Sequence, residues 1–243
     1  MKITLSLLIF FLLVTKSYQK NQWDGFGLAL IWPPGYCASL GTRCVVSKVK
    51  SDFTIHGLWP FVNSGATLGP EQNSKPYQPI PKNSPLFNPL TANWPSIEVN
   101  KPDDGFWAHE WNNHGRASFT LFNQTQYFAK ALDLLHRNNI ARVLQNGGIA
   151  RGHQYNDTQI LKAIRRALNV DVKIQCTAKY LVEVRICFDQ AAKAMINCNT
   201  KGIRGYCPKS FTFKYYIAYQ ILKAACKTLI MVISGLSTGA VSG

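Results

Sequence analysis

The period of the apolar pattern changes several times along the 243 residues. Gly27 to Pro33 (GLALIWP) is a nearly continuous apolar run closed by a Pro-Pro pair, which predicts a strand ending in a turn. Between Phe53 and His56, apolar Phe53 and Ile55 alternate with Thr54 and His56, so the imidazole points away from the apolar face. Phe61 to Pro102 is rich in Pro, Asn, Ser and Gly, the composition of a long irregular surface loop. Asp103-Asp104 then offers a helix start. Apolar residues fall at helical spacing in Gln126 to Arg137 (Tyr127, Ala131, Leu134, Leu135). They do so again in Thr158 to Leu168 (Ile160, Leu161, Ile164, Leu168). Strand-like alternation returns in Val172 to Ile174 and Tyr180 to Phe188, and Phe211 to Tyr215 reads as a further strand. Strands, then helices, then strands predict one α+β domain, with no repeat or linker dividing it.

The two ends break this pattern. Lys2 precedes an apolar run from Ile3 to Val14 and then a polar stretch. That run is too short to span a bilayer and has the form of a secretory signal peptide, cut between Ser17 and Asn21. Tyr215 to Gly243 is apolar and ends in small residues, with an apolar run too short for a lipid-anchor signal. The expected organisation is a leader over 1–20, a folded domain over 21–213 and an extension over 214–243, without stable membrane association.

Secretion favours paired cysteines. Of the seven, Cys176, Cys187, Cys198 and Cys207 crowd one stretch and read as a local staple, Cys37 and Cys44 lie close together, and Cys226 is the odd one out. Zinc is the rival reading, but there is no Cys-x-x-Cys pair or clustered histidine to accompany it. The sequons at Asn123 and Asn156 fit a glycosylated surface. Lys and Arg outnumber Asp and Glu by 27 to 12. Such an excess favours a polyanion, whether nucleic acid, acidic glycan or anionic membrane, without choosing among them.

The histidines narrow the choice. Of five, three sit in two short segments, FTIHGLWP (His56) and FWAHEWNNHGRAS (His109 and His114). On a helix Glu110 and His114 share a face, about 40° apart, whereas His109 and His114 are roughly 140° apart. The zinc motif H-E-x-x-H needs its histidines at i and i+4, so no metal is expected here. Two histidines from separate segments suit acid-base chemistry, one taking a proton while the other gives one. RNA offers both tasks at one phosphodiester, where the 2′-hydroxyl attacks and the 5′-oxygen leaves. A basic chain holds such a polyanion, Trp59 or Phe106 can stack on an unpaired base, and no cofactor is needed.

These two segments resemble the active-site segments of the ribonuclease T2 family, and the chain around them is similar to its plant self-incompatibility (S-) ribonuclease branch. The likeness runs from about Phe26 to Phe213 and includes LxWPPxxC (Leu30 to Cys37), NQTQYF (Asn123 to Phe128) and the late cysteine cluster. It implies an α+β fold with a central antiparallel sheet and several helices. It also implies a monomeric, secreted enzyme that cleaves single-stranded RNA through a 2′,3′-cyclic phosphate. Carried over residue by residue, His114 is the base, His56 the acid, His109 the phosphate grip and Glu110 a stabiliser of the transition state. Trp59, Phe106 and Trp32 fall where bases pack, with Arg116 beside the substrate. The implied bridges are Cys37–Cys44, Cys176–Cys207 and Cys187–Cys198. The branch adds a pollen recognition protein as a partner, and the tail leaves vacuolar sorting as an alternative destination.

Three departures qualify the likeness. Asn113 stands where a lysine is usual, with Arg116 as its expected partial substitute. Ala117 replaces a cysteine, and the loop after Pro60 has none, so that loop is expected to be looser by a few kcal/mol. Ile31 replaces a common glutamine, which bears on base preference. The rival reading, prompted by Asn113, is a non-catalytic relative that binds RNA or a partner protein; the joint presence of His56, His109, Glu110 and His114 argues against it.

Overall fold

The nearly continuous apolar run becomes the middle of a sheet. Strand β1 (Gly25–Ile31) is buried along its whole length, as expected of a strand covered on both faces. It pairs antiparallel with β2 (Thr54–Phe61) on one side and β5 (Tyr180–Phe188) on the other. These coordinates are a computed structural model that describes residues 23–41, 43–198, 201–202 and 205–215. The leader, most of the C-terminal extension and Cys226 lie outside the described residues.

With β3 (Gln154–Tyr155) and β7 (Phe211–Thr212), the sheet order is β2-β1-β5-β7-β3, and β4 (Lys173–Thr177) and β6 (Met195–Ile196) also pair with β5. Pairing is antiparallel except for one parallel contact, Tyr180 with Thr212, between β5 and β7 (Phe211–Thr212). Strand β7 is shorter than the run Phe211 to Tyr215 suggested, and it also pairs with β3 (Gln154–Tyr155).

Helix α1 (Pro33–Leu40) begins where only a Pro-Pro turn was expected. Proline costs nothing at the first helical positions, whose N–H groups have no helical partner anyway. The expected loop contains a helix as well, α2 (Phe87–Asn93), and its Leu90 is fully buried with the following Trp94. Helix α3 (Asp103–Asn113) starts at the acidic pair. Helices α4 (Gln124–Arg137) and α6 (Asp157–Leu168) flank the short α5 (Ile140–Asn146). Both longer helices open with a capping box, built on Asn123 with Gln126 and on Asn156 with Gln159. Their apolar faces join the strands in one core that also holds Trp23, Trp94, Trp107 and Trp111.

Among the described residues three disulfides are formed, Cys37–Cys44, Cys176–Cys207 and Cys187–Cys198, the pairing implied by the resemblance. Hydrogen bonds hold the loop after Pro60 near Ala117, where the resemblance would place a disulfide. The buried Glu71 carboxylate accepts from the Thr120 amide at 2.7 Å and its hydroxyl at 3.0 Å. The Trp111 indole donates to the Lys75 carbonyl at 3.0 Å, and the Tyr77 amide to Asn112 Oδ1 at 2.9 Å.

One expected base contact belongs to the core. Trp32 is fully buried, packs on Phe213 with ring centroids 4.6 Å apart, and donates its indole N–H to the Lys214 carbonyl at 2.9 Å. The chain turns from β1 into α1 at this residue and carries the ring inward.

Candidate active site

A single irregularity in β2 aims its histidine. In the β1–β2 ladder Ala29 faces Gly57 and Leu30 faces Ile55, so His56 is an extra residue with no opposite number. Such a bulge re-aims a side chain. It lets Ile55 and Leu58, three positions apart, both enter the core. His56 and Trp59 turn together to the other side, with ring centroids 5.0 Å apart.

Helix α3 supplies the facing wall. Trp107 and Trp111 anchor it in the core, and Glu110 is buried beside them. Glu110 Oε2 accepts from the Trp59 indole at 2.8 Å, and Oε1 lies 4.0 Å from His56 Nε2. Gly57 makes this approach possible, since a Cβ there would fall 2.1 Å from Trp59 Nε1 and 2.2 Å from Glu110 Oε2. His114 ends α3 with its ring 5.3 Å from that of Trp59. His109 is exposed, and its Nδ1 accepts from the Asn113 side-chain amide at 3.0 Å, which leaves the ring proton on Nε2.

The environment separates the two catalytic candidates. Burial and the neighbouring His109 and His56 hold His114 down at about 4. Burial also disfavours the His56 imidazolium, but the Glu183 hydrogen bond and the charges of Glu183 and Glu110 outweigh it and place this group above the ordinary value. Burial pushes the Glu110 carboxyl up to about 7, against the opposing pull of His56 and the Trp59 bond. A pair of imidazoles driven in opposite directions is equipped for one to accept a proton and the other to donate one.

Two clefts open beside these groups. One, of about 510 Å³, is lined by His56, His109, Glu110, Phe106 and Tyr36. The other, of about 210 Å³, is lined by His114, Asn113, Trp59 and Leu68. The half-buried Phe106 ring stands 5.9 Å from that of His56.

Two findings depart from the sequence expectations. Arg116 does not replace the missing lysine, because its guanidinium is committed to the Ser74 hydroxyl at 3.1 Å and the Ser74 carbonyl at 3.0 Å. It lies in the one-turn helix Gly115–Ser118, which leads away from the end of α3. Glu183 was not singled out by the sequence, yet its carboxylate sits 2.6 Å from His56 Nδ1. A signal existed in Tyr180 to Phe188, where Glu183 and Arg185 alternate with core residues on a central strand. Charges in such a strand call for partners.

The chain and its fold are similar to known ribonucleases. The profile of the ribonuclease T2 family matches residues 23–198. Ribonuclease S-2 of Antirrhinum hispanicum is 33% identical over 181 residues, 73% of this chain and 77% of the relative. Extracellular ribonuclease LE of Solanum lycopersicum is 32% identical over 209 residues, covering 79% of this chain and 90% of the relative. The crystal structure of ribonuclease MC1 from bitter gourd seeds superposes with a TM-score of 0.69 at 30% identity, covering 79% of this chain and 100% of that one. A mutant of that ribonuclease has been solved in complex with 5′-GMP.

Proposed function

The chain belongs to the ribonuclease T2 family, and from that premise we propose that it cleaves single-stranded RNA by 2′-hydroxyl attack, through a 2′,3′-cyclic phosphate. The observation that carries the mechanism is the placement of His114 and His56 around one Trp59–Glu110 contact, in surroundings that lower the proton affinity of the first and raise that of the second. His114, neutral above about pH 4, takes the 2′-hydroxyl proton. His56, protonated at mildly acidic pH, gives one to the departing 5′-oxygen. His109 presents Nε2–H to a non-bridging phosphate oxygen, and Glu110, kept protonated below about pH 7 by burial, donates to the negative charge that gathers in the transition state. The two clefts suit the bases flanking the bond, one against Phe106 and the other against Trp59.

The proposal extends to context. The leader supports secretion, and the similarity to ribonuclease LE, an extracellular ribonuclease, supports the same destination. Among the described residues no helix is long and apolar enough to cross a membrane. Asn123 and Asn156 are exposed, and each caps its helix through Oδ1, leaving Nδ2 as the atom that would carry a glycan. The resemblance to the self-incompatibility branch extends the proposal to a monomeric enzyme of the pistil with a pollen recognition protein as its partner.

The test is cleavage of single-stranded RNA by the oxidised mature chain in EDTA, followed against pH. Since the base must be neutral, kcat/KM rises as pH climbs through about 4. Since the acid must be protonated, kcat/KM falls again at a pH above the ordinary histidine value of about 6.5. Activity lost in EDTA and restored by zinc overturns the mechanism.

A further inference from the structure

Glu183 and Arg185 sit in the middle of the sheet, where a pair of hydrophobic side chains would be at least as stable. Burying an ion pair gains little over well-packed apolar residues, so stability alone gives no reason for it. Both residues lie on β5, opposite Ile31 and Ala29 of β1, and so one strand removed from β2. Their side chains reach over β1 on the face that carries His56 and Trp59. Ala29 is small enough to let them cross.

The contacts close a circuit. One Glu183 oxygen meets His56 Nδ1 at 2.6 Å, and the other accepts from Arg185 Nε. The Arg185 guanidinium lies 5.1 Å from the centre of the Trp59 ring, and the Trp59 indole donates to Glu110. Glu110 in turn faces His56 Nε2 at 4.0 Å. An ionised carboxylate can only accept, so His56 Nδ1 must carry a proton. That constraint turns Nε2 towards the cleft. The charged groups facing His56 are therefore Glu183 and Arg185 from β5, Glu110 from α3 and His114 at its end.

We propose that Glu183 is a positioning residue that fixes His56 through Nδ1–H and thereby presents Nε2–H to the leaving oxygen, with Arg185 holding the Glu183 carboxylate in place. The proposal rests on the RNA-cleaving reading of the site. In the step itself the Nε2 proton passes to the 5′-oxygen as the P–O bond breaks. His56 is left neutral, still bonded through Nδ1–H to an ionised Glu183, and no proton moves to the carboxylate. The logic matches that of the third member of a catalytic triad, which orients a histidine without touching substrate.

The experiment compares wild type, Glu183→Gln and Arg185→Met by two readouts. One is kcat/KM against pH on a dinucleotide; the other is the ¹⁵N spectrum of the His56 ring, which needs no activity. Glu183→Gln should lower kcat roughly tenfold, as a charged hydrogen bond becomes a neutral one, with KM little changed. It should also move the high-pH limb and the His56 titration to lower pH. Arg185→Met removes a cation that opposes the imidazolium and should move both to higher pH, an opposite sign that a merely structural role would not produce. Folded variants with both readouts unmoved overturn the proposal. Should Glu183→Gln not fold, the wild-type spectrum decides: a neutral His56 protonated on Nε2 in place of Nδ1 also overturns it. A ring that behaves as expected in a protein that leaves RNA intact supports the positioning role and overturns the RNA-cleaving reading.

Discussion

His56 and His109 line the same cleft, yet they are held in opposite ways. Sheet and helices together hold His56 from several directions: its carbonyl accepts from the Trp94 indole at 2.8 Å, its Nδ1 meets Glu183, and its ring lies beside Trp59 and Phe106. His109 stands exposed on α3, and its ring partner is Asn113, one turn along the same helix. The carboxylates beside His56, Glu183 and Glu110, are buried and favour the charged form of a ring that is itself half-buried. Charges near His109 act through water and are screened. One departure from the pattern that the resemblance implies, Asn113, falls on the solvated side, where exchanging a charge for an amide disturbs no buried partner.

The comparison is broken most severely by removing the proton carriers. His56→Ala and His114→Ala should each lower kcat/KM by roughly 10²- to 10⁴-fold, each abolishing one limb of the pH profile. Near-normal activity in both would show that the rings only support structure.

A smaller blow keeps every functional group and shifts the frame. In Gly57→Ala the added methyl collides with the Trp59 and Glu110 side chains, so the two walls must separate. A displacement of about 1 Å at a reacting group can cost on the order of 10²-fold, and kcat should fall by up to that amount. Retention of full activity would mean that the Trp59–Glu110 contact does not position the site.

The solvated side allows a gain. Asn113→Lys restores a cation near the developing phosphate charge and should raise kcat/KM on a dinucleotide by several-fold, up to roughly tenfold. Arg116→Ala is the companion measurement. With its guanidinium committed to Ser74, its loss should lower thermal stability by about 1–3 kcal/mol and leave kcat close to normal. No gain from Asn113→Lys, together with a large loss of kcat in Arg116→Ala, would return Arg116 to the substrate.

Much of this was present in the order of residues. Local periodicity marked the α+β succession, the two long helices and the outward turn of His56, because each depends on neighbours a few positions away. The two histidine segments marked the candidate site for the same reason: HGLW and HEWNNH hold their polar groups on one strand and on one helix with its cap. Through family resemblance the cysteine order also carried its pairing.

What the tertiary structure alone decided are the contacts between distant segments. His56 and Glu183 are 127 positions apart, and only the β2-β1-β5 register brings them together. Trp32 reads as a candidate base contact within its motif, but the turn into α1 buries it. Arg116 reads as a spare cation two residues beyond His114, but Ser74, 42 positions earlier, claims it. The surroundings that favour the charged form of His56 and the neutral form of His114 belong to this class as well. An imidazole has nearly the same affinity for a proton in any short peptide, and only the folded arrangement of carboxylates and apolar walls separates one from the other.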